Sequence, residues 1–231
     1  MTARAKHVQP IMRALARAID GLELPAVEKI SESQEEDPFQ VLIATMLSAR
    51  TQDGTTLAAS TRLFNVARTP QALASLSRAR IERLLYPVSF YRHKAQHIKT
   101  TCRMLVEQFA GNVPTTMEEL LTLPGVGRKT ANLVLILAFK SQHNICVDTH
   151  VHRISNRLGW VKTQTPEETE RALYQVTADR WWPYINLYLV TWGQKVCRPL
   201  YPRCRDCAVR SLCPRMGLSP ESISARRSVR A

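Results

Sequence analysis

The chain has 231 residues, 45% of them hydrophobic, with 32 Lys and Arg against 19 Asp and Glu for a formal net charge of +13. That much apolar content excludes a disordered polyelectrolyte, and one or two domains with a real core are expected. The longest apolar run, Leu133 to Phe139, is far too short to span a bilayer, and so basic a protein points to a polyanion, nucleic acid first.

At the N-terminus, Arg4, Lys6, Arg13 and Arg17 mimic a transit peptide. Val8, Ile11, Leu15, Ile19 and Leu22 recur at helical spacing, however, which favours an ordinary first helix. Glu32, Glu35, Glu36 and Asp37 are the densest acids and read as the solvated start of a helix, not a metal site. Asp37-Pro38 is a cap followed by a first-turn proline and predicts a helix to about Ser48. Thr69-Pro70 and Thr165-Pro166 repeat the device, and Thr116/Glu119 and Thr165/Glu168 have capping-box spacing. A long helix is expected from about Tyr91 to Ala110, with Ala95, Ile98, Cys102, Leu105 and Phe109 on one face and Gly111 as a left-handed cap. No stretch alternates cleanly enough for a sheet strand, so the chain reads as helical nearly throughout.

The stretch Thr116 to Phe139, TMEELLTLPGVGRKTANLVLILAF, predicts two helices joined by a tight turn. Pro124 stops the first, and Gly125 and Gly127 permit a turn that other residues would strain. Bare backbone there can aim the amides of Gly125, Gly127 and the new helix start at an anion. A nucleic-acid phosphate fits, and such a contact carries no base information. The alternative is a helix corner without a ligand, but Arg128 and Lys129 follow at once. Lys129 sits where the positive end of the helix dipole disfavours a second cation. That placement suits an amine that must be neutral to attack carbon. Nineteen residues on, Asp148 in Val147-Asp148-Thr149-His150 precedes a helix with Val151, Ile154 and Leu158 on one face. An N-cap is its obvious role, and the same carboxylate can stabilise positive charge nearby.

Near the C-terminus Cys197, Cys204, Cys207 and Cys213 are spaced C-x6-C-x2-C-x5-C. Four thiolates so close can surround one metal centre, and both zinc and an iron–sulfur cube accept four cysteines. Disulfides fit poorly with a charge-dense segment that no secretion signal precedes. Cys102 and Cys146 lie outside the pattern and read as buried thiols of a reducing compartment. Residues 217–231 are Ser- and Arg-rich, the composition of a mobile basic tail.

LPGVGRKTAN, then VDTH, then the four cysteines stand in the order and spacing of one family. From about Asp37 to Pro214 the chain resembles the endonuclease III family of helix-hairpin-helix DNA glycosylases. The resemblance implies an all-α fold of two helical lobes. Residues 31–142 would form a six-helix barrel containing the hairpin at about 116–139. Residues 1–30 and 143–216 would form the lobe that carries the iron–sulfur loop, with DNA between the two. It implies a bifunctional DNA glycosylase/AP lyase of base excision repair that removes oxidised pyrimidines. Lys129 would form a Schiff base with sugar C1′, Asp148 would stabilise the cationic sugar, and β-elimination would cut the strand 3′ to the lesion. Cys197, Cys204, Cys207 and Cys213 would hold a [4Fe-4S] cluster, and Arg198, Arg203, Arg205 and Arg210 would face phosphates.

Further DNA contacts are expected at Gly125, Val126, Gly127, Arg128, Arg50, Gln52, Phe90 and His150. Two positions depart from the best-known bacterial members. Arg50 stands where a gap-filling glutamine is usual, with Gln52 two residues later, and Phe90 stands at a wedge position usually held by leucine. Each also has a plain reading, as a phosphate contact for Arg50 and as core packing for Phe90. His150 either touches sugar or base or satisfies a backbone carbonyl, and Trp181, Trp182 and Trp192 read as packing. The resemblance implies double-stranded DNA carrying damaged bases or abasic sites as the partner, met by a monomer in the cytoplasm at the nucleoid, with no membrane. A mismatch or adenine glycosylase, a zinc-stapled nuclease and a non-catalytic lesion-binding protein are the competing readings. Lys129 argues against the first, the lack of a carboxylate-rich metal site against the second, and Lys129 and Asp148 together against the third.

Overall fold

The structure, a computed structural model, describes residues 7–33 and 37–219. Among the described residues there are helices and turns and no strand. Among the same residues no helix is long and apolar enough to cross a membrane. The chain divides into two compact units, one spanning Leu24–Asn144 and the other the residues on either side of it.

The Leu24–Asn144 unit contains α2 (Ala26–Ser33), α3 (Pro38–Ser48), α4 (Asp53–Phe64), α5 (Pro70–Ser75), α6 (Arg78–Leu85), α7 (Tyr91–Gln108), α8 (Met117–Leu120) and α9 (Arg128–Phe139); α1 belongs to the other unit. The Asp37 carboxylate accepts the Gln40 N–H at 2.8 Å, and Pro38 fills the first turn, so α3 starts where its sequence predicts. Every residue of α3 from Phe39 to Leu47 is buried. A helix apolar on all sides sits at the centre of a core, and α2, α4, α7 and α9 pack around this one. Ala95, Ile98, Cys102 and Leu105 are fully buried along α7, as the spacing requires, while Phe109 is only partly buried. The helix ends at Gln108 rather than Ala110, because Ala110 (φ 51°) and Gly111 (φ 82°) both turn left-handed and the Gly111 N–H closes on Leu105 O at 2.8 Å. Burial pushes the Cys102 thiol up to about 12, which fits an inert core thiol. Residues 24–30, grouped with the first helix from sequence, belong here instead. Ile30 joins this core, and α2 packs on α3 and α4.

The second unit contains α1 (Val8–Ala18), α10 (Thr149–Arg157), α11 (Pro166–Val176) and α12 (Trp182–Lys195), followed by an irregular segment with one short 3₁₀ turn at Cys204–Asp206. Val8, Ile11 and Leu15 of α1 share a core with Ile154, Leu173, Leu189 and Trp160. Trp192 is buried in that core and Trp181 and Trp182 pack against it, so the three tryptophans pack as expected. Cys146 is fully buried. Thr165 accepts the Glu168 N–H as a cap. Glu168 returns the bond to Gln164 N at 2.8 Å, one residue earlier than a capping box would place it. Thr116 caps α8, but there the Glu119 carboxylate accepts the Thr116 hydroxyl at 2.8 Å instead of a backbone N–H. Arg4, Lys6, Glu35, Glu36 and most of the basic tail lie outside the described residues.

Candidate active site

The glycine turn forms as its sequence predicts, between α8 and α9. Gly125 is left-handed, with φ 79°. A Cβ on it would stand 2.8 Å from His97 Nδ1, so both conformation and space require glycine. Helix α7 braces the turn from behind, where Thr101 Oγ1 donates to Pro124 O at 3.0 Å. Gly127 is extended (φ −102°, ψ 177°) and is the N-cap of α9, with no side chain capping it. A Cβ there would meet nothing within 4 Å, so the surface over the helix start is open. Val126 departs from expectation. Its side chain is buried in the core and its N–H is spent on Leu123 O at 3.1 Å, so it shapes the turn and offers a ligand no donor.

Arg128 is exposed and Lys129 half-buried in the first turn of α9. The same unit carries Arg50, Gln52 and Phe90. Arg50 lies between α3 and α4 with φ 55°, and Phe90 is the N-cap of α7 with φ 56°. A left-handed conformation is uncommon for residues with side chains and costs energy unless neighbours impose it. Both side chains are displayed to solvent, Phe90 59% exposed, which removes core packing as its role. The Arg50 guanidinium carbon stands 6.0 Å from the Phe90 ring centroid, cation over aromatic face. Gln52, also exposed, is the N-cap of α4 and makes no side-chain cap bond.

Asp148 and His150 belong to the second unit. Asp148 is the N-cap of α10, and its Oδ1 alone accepts both the His150 and Val151 N–H at 2.8 Å. Both capping bonds fall on one of the two carboxylate oxygens, so the capping role and a second role are compatible. His150 Nδ1 lies 3.1 Å from Arg153 Nη2, and an arginine can only donate, so the ring accepts there and carries its proton on Nε2. His150 therefore holds no backbone carbonyl through Nδ1. Arg153 also donates to Cys197 O at 2.9 Å and to Gly193 O at 3.4 Å. Burial lowers its pKa, while Cys197 and Asp148 act the other way. The approach of α12 to this group needs Gly193, since a Cβ there would stand 2.5 Å from His150 Nδ1.

Cys197, Cys204, Cys207 and Cys213 are free, half-buried, and line one pocket. The other walls are apolar side chains such as Leu15 and Val209 and the arginines 157, 203, 210 and 215, with no His or carboxylate. Burial raises the Cys204, Cys207 and Cys213 thiols, and charge on neighbouring cysteines raises each of them further. Arg157 donates to Cys197 Sγ at 3.4 Å. Among the described residues no three His, Cys, Asp or Glu are grouped as they would be around a metal ion. A cube takes each thiolate on a different iron and so spreads the sulfurs wider than one tetrahedral zinc does. Four sulfurs sharing an arginine-rimmed pocket suit a group of net negative charge of that kind.

Lys94, Arg153 and Arg157 were missed from sequence. Lys94 had left a trace: it stands between Tyr91 and Ile98 on the apolar stripe of α7, where a lysine breaks the pattern. The arginines left none.

Residues 43–178 match the family described as HhH-GPD superfamily base excision DNA repair protein. Endonuclease III of Thermotoga maritima is 51% identical over 180 residues, covering 78% of this chain and 84% of that one. Endonuclease III homolog 2, chloroplastic, of Arabidopsis thaliana is 46% identical over 188 residues, and there the match spans only 49% of the relative's length. A solved structure of a trapped endonuclease III–DNA covalent intermediate, an estranged-adenine complex, superposes with a TM-score of 0.81 at 30% identity, covering 93% of this chain and 97% of that one.

Proposed function

The chain belongs to the HhH-GPD superfamily of base excision DNA repair proteins, in its endonuclease III branch, and from that premise we propose that it removes oxidised pyrimidines through a Schiff base on Lys129. It acts as a DNA glycosylase and AP lyase of base excision repair. The observation that supports the lysine chemistry is the place of Lys129: the first turn of α9, half-buried, directly after the open glycine turn.

In this reading the damaged base leaves the stack, since no side chain reaches C1′ inside a duplex. The Lys129 amine attacks C1′ as the C1′–N bond to the base breaks. The departing base takes the bond's electron pair and then a proton. The C1′–O4′ bond then opens, O4′ keeping the electron pair and taking a proton that the lysine nitrogen gives up, which leaves an iminium at C1′; loss of a C2′ proton from it expels the 3′ phosphate and cuts the strand. Positive charge develops on the sugar during attack, and in this reading the Asp148 carboxylate stabilises it. The amides at Gly125, Gly127 and the start of α9 hold a phosphate, with Arg128 beside them. Phe90 enters the stack, Arg50 faces the base left without a partner, and Gln52 and His150 add further DNA contacts. The substrate is duplex DNA with damaged bases or abasic sites, met by a monomer at the DNA of the cytoplasm.

Cys197, Cys204, Cys207 and Cys213 would hold a [4Fe-4S] cluster. When bound, the cluster supplies cross-links to a segment with little core of its own. Around it, Arg157 ties the loop to α10, and Arg198, Arg203, Arg205 and Arg210 meet phosphates.

The test is borohydride trapping on a duplex with one thymine glycol, with Lys129→Gln alongside. The native protein is expected to trap and the variant to lose trapping by about three orders of magnitude or more while still binding damaged DNA. Near-native trapping by Lys129→Gln removes the mechanism. Trapping on an abasic site but not on thymine glycol keeps the lyase and removes the substrate.

A further inference from the structure

Lys94 is a buried lysine that the chemistry above does not use. It lies on the core side of α7, one turn after Phe90, and is only 9% exposed. Its Nζ donates to Leu47 O at 2.7 Å, Ala49 O at 2.7 Å and Thr51 Oγ1 at 3.1 Å. An ammonium has three N–H donors and no acceptor, so these three oxygens satisfy it completely. Two of the acceptors are carbonyls at the C-terminal end of α3, where intrahelical bonding runs out and the dipole favours a cation. The third lies just past residue 50. The side chain thus grips the backbone immediately before Arg50 and the side chain immediately after it.

The backbone of the same residue holds the other exposed probe. Lys94 N–H donates to Phe90 O at 3.0 Å, closing the turn in which Phe90 is left-handed. Arg50 and Phe90 are both in conformations that persist only when their surroundings impose them, and one residue is bonded to the neighbourhood of each. The two side chains then meet, cation over ring. Burying an ammonium is costly. Burial first, and then the charge of Lys129, pull its pKa down from 10.5 to about 8. A position that needed only packing would be better served by leucine or methionine.

We propose that Lys94 is a positioning residue that locks the Arg50 loop to the Phe90 turn, so that wedge and gap-filler enter a duplex as one preset pair. It sets how the enzyme discriminates the base opposite the lesion, and leaves the covalent step to Lys129. This rests on the reading of Arg50 and Phe90 as the residues that enter DNA.

The experiment compares single-turnover cleavage of duplexes with an abasic site opposite each of the four bases against trapping on a single-stranded abasic oligonucleotide, which has no opposite base. The proteins are native, Lys94→Met, Arg50→Ala, Phe90→Ala, Thr51→Val and the Lys94→Met/Arg50→Ala pair. Lys94→Met is expected to lose about tenfold on duplexes and to flatten the opposite-base ranking, with single-strand trapping within about twofold of native. In the Arg50→Ala background it is expected to cost less than about twofold more, because residues acting as one unit are not additive. Additive losses in the pair overturn the proposal. So does an equal loss on single strand and duplex, which would mean that Lys94 acts on Lys129 or on the fold. Thr51→Val removes one acceptor and covers the case of a misfolded Lys94→Met: a smaller flattening is expected, and a native ranking overturns. Losses in Arg50→Ala and Phe90→Ala with a native Lys94→Met defeat this proposal alone. Native behaviour in both of those variants defeats the reading of the two probes, and this proposal with it.

Discussion

In the unit of Leu24–Asn144, α3 is buried from Phe39 to Leu47 and its neighbours close around it. In the other unit, the segment from Val196 to Ser219 buries only Pro202 and Val209. The first unit hangs its functional turns on a continuous apolar core. The second gives its cysteine segment little of its core, with Val209 buried there and a few side chains packed against it, and relies more on polar ties, above all to α10. Arg157 donates to Cys197 Sγ, to Arg198 O at 2.6 Å and to Pro199 O at 2.7 Å, and its own carbonyl accepts the Met216 N–H at 3.0 Å. Arg153 adds a bond to Cys197 O. Oriented hydrogen bonds to exposed backbone each contribute only about 0.5–1.5 kcal/mol net, so such a segment depends on a cross-link in a way that a packed core does not.

The largest effect that would break this contrast is loss of one sulfur. Cys207→Ser is expected to lose bound iron and sulfide and to open residues 196–219 to protease, while the Leu24–Asn144 unit keeps its resistance. Loss of iron with a native digestion pattern would show that the segment stands without the group, and full iron content would show that Cys207 is not needed to hold it. A smaller effect is expected at the glycine turn. Gly125→Ala places a Cβ against His97 in a left-handed position, at a cost of about 1–3 kcal/mol in the urea midpoint. DNA binding should weaken together with it, and the slope of log affinity against log salt should fall by about one if the turn holds one phosphate. An unchanged slope would separate the turn from the phosphate.

The smallest effect concerns Lys94. Its amine yields its proton near pH 8 in the folded chain and near 10.5 when unfolded. Between those values the unfolded state binds more protons, so stability rises with pH there, and below about 8 the penalty is fully present. The stability of the native protein relative to Lys94→Met should therefore improve from pH 7.5 to 9.5, on the order of 1 kcal/mol. A flat difference between the two urea midpoints would mean that the lysine is better solvated than its burial implies.

Motifs whose meaning is local were legible in the sequence. Asp37-Pro38 and Thr165 cap the helices they announce, Gly125 turns left-handed, and Asp148 caps α10, because each depends on residues three or four positions away. Val126 was misread because a hydrophobic residue in a glycine turn carries no sign of which way it faces, and the core took it. Arg50 and Phe90 were each visible as departures from a pattern. Their pairing was not, since it spans forty residues and is made by how α3 and α7 pack.

The sequence by itself determined the helical class, the order of the motifs, the lysine at a helix start and the four clustered thiols, all of which follow from spacing along one chain. Only the tertiary structure decided which groups share a neighbourhood. It buried Lys94 against three oxygens at the end of α3 and just beyond it, set Arg153 between His150 and Cys197, and split Lys129 and Asp148 between two units. Such contacts come from the packing of whole helices, and no pattern within a single helix encodes its partner.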